Sequence, residues 1–309
     1  MKNMKKIAVI GSNMVDLVTY TDRMPVAGET LEAPDFDLGF GGKGANQAIA
    51  AAKLGGEVLM LSKVGDDVFG PNTRANFVAN GIDARYVETA AGISSGVAPI
   101  FVDAKGQNSI LIVKGANKHL SPVDVDRAID DIRACDLIVM QLEISLETVY
   151  YVIELGLREH IPVLLNPAPA VAGLDMEKIC QLDMLVPNET ELEILTGMPV
   201  QTLEQIQAAA KFLIDAGIKK VIVTMGSKGA LLVTEKEMTS VPCPQVKAKD
   251  TSGAGDAFIG CFAKHYVEGG ELIPAMEEAV IYASLSTTRP GTQKSYADID
   301  QFEAYKRFL

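Results

Sequence analysis

Six short β-type runs in this chain are apolar throughout rather than alternating, and that trait narrows the fold more than any other. They are "KIAVIGS" (6–12), "EVLMLSKVG" (57–65), "DLIVMQ" (136–141), "PVLLNPAP" (162–169), "DMLVPN" (183–188) and "KKVIVTMG" (219–226). A strand with one wet face alternates apolar and polar residues; a uniformly apolar strand is covered on both faces, as parallel strands of an α/β sheet are. Amphipathic helical patterns lie between them at 45–55, 122–133, 146–160 and 202–217. The alternation predicts an α/β fold, a doubly wound and mostly parallel sheet with helices on both faces. Two stretches break the pattern, 14–40 and 93–115, with period-two alternation and turn residues Gly106–Gln107–Asn108. They predict a small antiparallel β-sheet acting as a lid over the carboxyl ends of the strands, where ligands of such sheets bind. The whole of 1–309 is expected to form one domain carrying this lid.

Composition excludes several partners. The net charge is −12 and no Lys/Arg cluster is longer than a pair, which disfavours nucleic acid and anionic membrane surfaces. The apolar run after the basic N-terminus stops at Gly11 and Ser12, too short for a secretory signal, and no run approaches a membrane span. A cytoplasmic enzyme is the expectation. Cys135, Cys180, Cys243 and Cys261 form no CxxC and read as reduced thiols; His119, His160 and His265 lack ligand spacing.

Three motifs carry chemistry. In "KDTSGAGDAFIGCF" (249–262), Gly253, Ala254 and Gly255 precede an apolar helix and Asp256 falls in its first turn. Such a loop gathers free backbone N–H groups at the positive end of a helix dipole, an anion site. A carboxylate there either caps the helix or serves as a base. In "GFGGKGANQAIAAAKLG" (39–55), Gly41, Gly42 and Gly44 open another helix, with Lys43 and Asn46 able to donate to a ligand. It is no Walker loop, because Gly follows Lys43. In "VPNETELEILTG" (186–197), Asn188 and Glu191 are three apart, which a capping box alone would explain.

In this order, on this pattern, the three resemble the ribokinase-like carbohydrate kinase superfamily, and within it the ribokinases and deoxyribokinases. "GGKGANQ" is similar to the N-terminal signature, "DTSGAGD" to the C-terminal one and "PNETE" to its Asn-x-x-Glu motif; "QLE" (141–143) and "NPAPA" (166–170) match too. The resemblance implies ATP-dependent phosphorylation of a primary hydroxyl and a homodimer whose lids pair as a β-clasp. It implies Asp256 as general base and the N–H groups of Gly253, Ala254, Gly255 and Asp256 as the cradle of the transferring phosphoryl group. Asp16, Gly42, Lys43, Asn46 and Glu143 would hold the sugar. Asn188 and "TMGSKG", that is Thr224, Met225, Gly226, Ser227, Lys228 and Gly229, would contact the nucleotide together with Gly255. Glu191 would place Mg²⁺ through water. Asp250, Ser252, Ser286, Arg289, Gly291 and Ser295 match the loop pair that binds an activating K⁺.

Two positions depart from the family pattern. Val280 stands where ribokinases often carry Asn or His beside the adenine. Met14 stands where the turn Gly-Ser-x-Asn-x-Asp commonly carries an Asn facing the sugar, two residues before Asp16. Met fills apolar gaps adaptably, which is the plain explanation. The functional one is a substrate with CH₂ in place of a hydroxyl, 2-deoxy-D-ribose, with residual activity on ribose. The alternative is a kinase acting mainly on D-ribose, and adenosine or fructose kinase lies within the same fold. A nicotinamide dehydrogenase would need G-x-G-x-x-G after the first strand, which is missing; a non-catalytic sugar-binding module would need neither the anion loop nor Asp256.

Overall fold

The computed structural model describes residues 5–104 and 107–309; Gly106 of the expected lid turn lies outside them. The strands are β1 (Lys6–Ile10), β2 (Met14–Tyr20), β3 (Asp35–Gly41), β4 (Glu57–Gly65), β5 (Asp83–Ala90), β6 (Val97–Val102), β7 (Asn108–Ile110), β8 (Leu137–Gln141), β9 (Val163–Asn166), β10 (Met184–Leu185), β11 (Lys220–Thr224), β12 (Ala230–Thr234) and β13 (Met238–Val241). The helices are α1 (Lys43–Lys53), α2 (Phe69–Ala79), α3 (Pro122–Arg127), α4 (Ile129–Arg133), α5 (Leu146–Glu159), α6 (Met176–Ile179), α7 (Glu189–Thr196), α8 (Leu203–Asp215), α9 (Ala254–Gly269), α10 (Leu272–Ser286) and α11 (Ile299–Lys306).

Nine strands form one sheet in the order β13-β12-β11-β10-β9-β8-β1-β4-β5, parallel except where β12 pairs with β11 and with β13. The apolar strands are covered on both faces because alternate residues enter different cores. Ile7, Val9, Met60 and Val139 pack with α1, α2, α9, α10 and α11, while Ala8, Ile10, Leu61 and Met140 pack with the layer from α3 to α8. From β1 the chain steps outward to β4 and β5, then returns to β8 on the other side of β1. That reversal opens a crevice at the carboxyl ends of β1 and β8.

A separate four-stranded sheet, β3-β2-β6-β7, is built from the two period-two stretches. It is not wholly antiparallel as expected: β2 and β6 run parallel, because each enters the small sheet directly from the large one. The expected helix over 122–133 is two pieces. The bond from Ala128 N–H to the Val125 carbonyl (3.0 Å) tightens the turn and divides α3 from α4. The run at 183–188 supplies only a two-residue strand.

Candidate active site

Four chain segments meet at the crevice: the turn after β1, the Gly-rich entry to α1, the end of β8 and the start of α9. Close backbone approach requires the glycines. A Cβ on Gly44 would fall 2.6 Å from the Ser12 nitrogen, and one on Gly42, whose φ is 88°, 2.7 Å from the backbone of Asn13 and Met14. Glu143, just beyond β8, accepts from Ser12 Oγ (2.5 Å) and from the Lys43 N–H (2.9 Å), both through Oε2. It thereby satisfies a first-turn amide of α1. Met14 lies opposite Gly41 and Asp16 opposite Gly39. Being two apart on β2, Met14 and Asp16 share one face of the small sheet.

Asp256 is buried in the first turn of α9, with a bond to each carboxylate oxygen: Asn46 Nδ2 donates to Oδ2 and Gln47 Nε2 to Oδ1, both at 2.9 Å. The surrounding charges interact. Burial works against the Lys43 ammonium, yet Asp256, Glu143 and Glu191 hold its pKa above the ordinary lysine value. Burial also raises Glu191, opposed by the Asn188 amide and by Lys43. Asp16 is pushed up to about 6, first by burial and then by the charges of Glu143 and Asp256. The structure therefore brings Asp16, Lys43, Glu143, Asn46 and Asp256 together at the crevice.

The Asp16 shift fixes a pH dependence. The folded state holds this proton up to about pH 6, the unfolded chain only to its ordinary value of 3.8. The stability this group contributes is complete below that lower value and is lost as pH rises through the higher one. Without sugar, Asp16→Asn is expected to gain on the wild type in Tm between about pH 4 and pH 7. Parallel melting curves across that range, or a constant offset, would contradict it.

On the far side of α9 lies a cavity of about 420 Å³, lined among others by Asn188, Thr224, Thr251, Gly255, Phe258 and Val280. That volume suits a nucleotide-sized ligand. Of the nucleotide residues expected from sequence, Gly226, Ser227 and Gly229 also line it, but Met225 and Lys228 do not. The Met225 side chain turns into the core beneath the loop, and Lys228 pairs with Glu189 at 2.9 Å. The sequence reading missed Phe258, Thr251, Thr287 and the segment from Cys243 to Ala248, whose only signal was position beside the anion loop. Asn188 and Glu191 do form the capping box: Asn188 Oδ1 accepts from the Glu191 N–H and Glu191 Oε2 from the Asn188 N–H. Asn188 Nδ2 and Glu191 Oε1 take no part in that box.

Gly253, at φ 71°, is the N-cap of α9; a Cβ there would strike Thr292 at 2.1 Å. A helix start leaves its first N–H groups without intrahelical partners. The Ala254 N–H turns back to the Thr251 carbonyl (3.2 Å), so Gly255 and Asp256 carry the first-turn amides left to an anion. Gly255 is exposed at the cavity wall. Behind this loop, Asp250 ties two segments together by accepting from the Ser252 and Gly291 N–H groups (2.9 and 2.8 Å). Those bonds, outweighing burial, hold its carboxyl below the usual range. Ser286 and Ser295 are buried, each hydroxyl donating to a carbonyl one turn back, while the Arg289 guanidinium reaches Gln301.

A buried carboxylate beside a helix start with free first-turn amides, with a nucleotide-sized cavity on one side and a polar crevice on the other, is the equipment of phosphoryl transfer. The pfkB family carbohydrate kinase model matches residues 4–299. The chain belongs to that family. The Salmonella typhi deoxyribokinase is 61% identical over 299 residues, covering 97% of this chain and 98% of its own. The Bacillus subtilis ribokinase is 41% identical, covering 94% and 95%. Among solved structures, Arabidopsis thaliana ribokinase complexed with ribose and ATP superposes with a TM-score of 0.93 at 32% identity, over 99% of this chain and all of that one. As a pfkB carbohydrate kinase the chain is an ATP-dependent enzyme, which removes the dehydrogenase and the non-catalytic sugar-binding module. Among the described residues no helix is long and apolar enough to cross a membrane.

Proposed function

We propose that this kinase transfers the γ-phosphoryl group of ATP to the 5-hydroxyl of a pentose and prefers 2-deoxy-D-ribose to D-ribose. One observation carries the choice of sugar. Met14 is buried on the same strand face as Asp16, while the neighbouring carboxamide of Asn13 is turned into the body, donating to Ser62 Oγ and the Lys63 carbonyl at 2.7 and 2.8 Å. No side-chain amide of this turn is left to read a 2-hydroxyl. The 61% identity to a deoxyribokinase supports the same reading. The second reading, a kinase acting mainly on ribose, draws on ribokinase relatives such as that of Bacillus subtilis.

In the proposed reaction Asp16, Gly42, Lys43, Asn46 and Glu143 hold the sugar. Asp256 takes the proton of the 5-hydroxyl as its oxygen bonds to the γ-phosphorus and the bond to the β–γ bridging oxygen breaks, releasing ADP. The amides of Gly255 and Asp256 stabilise the charge on the transferring group. Asn188, Thr224 and the loop from Gly226 to Gly229 bound the nucleotide, and Val280 and Phe258 offer apolar surface to its base. Glu191 suits Mg²⁺ held through water, since Oε1 lies outside the capping box. Asp250, Ser252, Ser286, Arg289, Gly291 and Ser295, which offer carboxylate, hydroxyl and carbonyl oxygens, are the residues that would hold K⁺. Mg²⁺ would neutralise phosphate charge and K⁺ would brace the loop before α9.

The small sheet acts as lid and as dimer surface in this proposal. Its face opposite Asp16 carries Leu17, Phe36, Leu38, Pro99 and Phe101, with Phe36 and Leu38 about half exposed. A second lid covering that face would make a homodimer. A cytoplasmic location accords with an ATP-using enzyme. The test is kcat/KM for ribose and 2-deoxyribose with MgATP, with and without K⁺. A higher value for 2-deoxyribose supports the proposal; a clear ribose preference refutes it.

A further inference from the structure

Gln141, the last residue of β8, lies outside the set that touches sugar or nucleotide, and its side chain is fully buried. Its Nε2 donates to Gln47 Oε1 at 2.6 Å. Among the described residues its own Oε1 has no hydrogen-bond partner. That oxygen lies where Gly11 has no side chain: a Cβ on Gly11 would fall 2.2 Å from it. A buried acceptor without a partner is costly, so its retention calls for a reason.

The reason lies in the order of donors and acceptors running to Asp256. Asn166, the cross-strand neighbour of Gln141, donates through Nδ2 to the Val186 carbonyl at 2.9 Å, which fixes its Oδ1 as an acceptor facing Gln47. Gln47 Nε2 supplies the donor to Asn166 Oδ1 (3.2 Å) and to Asp256 Oδ1 (2.9 Å). With that orientation Gln47 presents Oε1 to Gln141, which must then answer with Nε2 and leave its own oxygen unpaired. Turning the Gln141 amide over would set two acceptors against each other. Turning Gln47 as well would point its oxygen at the Asp256 carboxylate. Asn46, the other donor to Asp256, is fixed in the same manner by Gln293 Nε2 (2.9 Å), and Gln293 by Asn76.

We propose that Gln141 is a positioning residue: through Gln47 it fixes a donor on Asp256, keeping the carboxylate rotated toward the reacting hydroxyl. This rests on Asp256 being the base. Gln141→Leu removes the unpaired Gln141 Oε1 and leaves Gln47 Oε1 unpaired in its place, so the number of unsatisfied acceptors is unchanged, the fold should lose little, and stability and activity should part company.

The experiment measures kcat, both KM values and Tm for Gln141→Leu, Gln47→Leu, the double variant and Asp256→Asn; Gln141→Met serves should Leu not fold. Expected for the Gln141 variant is a fall in kcat of about tenfold, with KM values and Tm little changed. The double variant should be no worse than Gln47→Leu alone, since Gln141 acts only through Gln47. Wild-type kcat in Gln141→Leu, losses in kcat and Tm together, or additive losses in the double variant would overturn the proposal. Substantial turnover in Asp256→Asn would instead bring down the base assignment.

Discussion

Asp256→Asn is expected to lower kcat by at least about 10²- to 10⁴-fold, the contribution of a positioned general base, while sugar binding persists. The structure argues for the upper part of that range. Asp256 accepts from Asn46 and Gln47 through its two oxygens, and both donors have their other ends committed to Gln293 and Gln141. An Asn at this position can accept only one of the two bonds and sets its own NH₂ against the other donor. The replacement thus loses its base and turns its side chain at once. The sugar contacts proposed for Asp16, Glu143 and Lys43 come from other elements and should remain. Removing the Asp256 charge also removes one of the causes that raise Asp16, so the acid limb of sugar binding should move to lower pH. Single-turnover assays with isothermal titration of the sugar check both parts. Turnover within tenfold of wild type, or binding lost along with turnover, would contradict the assignment.

Much of this site was legible in the sequence because its constraints are local. Gly42 and Gly44 are dictated by backbones that approach too closely for a Cβ, Gly253 by its positive φ and the side chains of Thr292 and Tyr296, and Asp256 follows its loop directly. The uniformly apolar runs gave the parallel core for the same reason: burial on both faces leaves few polar residues in a strand. What stayed hidden depends on distant pairs. Gln47, Gln141, Asn166 and Gln293 carry side chains usually found on surfaces, and the partners lie 94 to 247 residues apart. The edge strands β5 and β13 escaped because they carry polar residues, whereas β12, which lies between β11 and β13, is apolar and was passed over. Met225 and Lys228 were drawn in with their loop, although successive residues of a loop point in different directions. The parallel pairing of β2 with β6 could not be read from period-two alternation, which both directions share.

Met14→Asn is expected to move the ratio of kcat/KM values toward ribose by roughly 5- to 150-fold, the factor that corresponds to about 1–3 kcal/mol for a buried polar group with or without its partner. The effect has two parts. Ribose gains a partner for its 2-hydroxyl, and 2-deoxyribose now leaves the new carboxamide buried and unpaired. The second part is the larger one, because a site built to hydrogen-bond rejects an analogue lacking the group more strongly than an apolar site rejects an added hydroxyl. The surroundings do not supply the missing partner. Asn13 is committed to Ser62 and Lys63, and Gly41 across the strand has no side chain. The sugar-free variant should accordingly melt below the wild type, and ribose should restore more of that loss than 2-deoxyribose does. Steady-state kinetics on both sugars and melting curves with each sugar read the two parts separately. An unchanged ratio, with both sugars stabilising the variant equally, would show that Met14 merely fills space and that the preference for the pentose is set elsewhere on the lid.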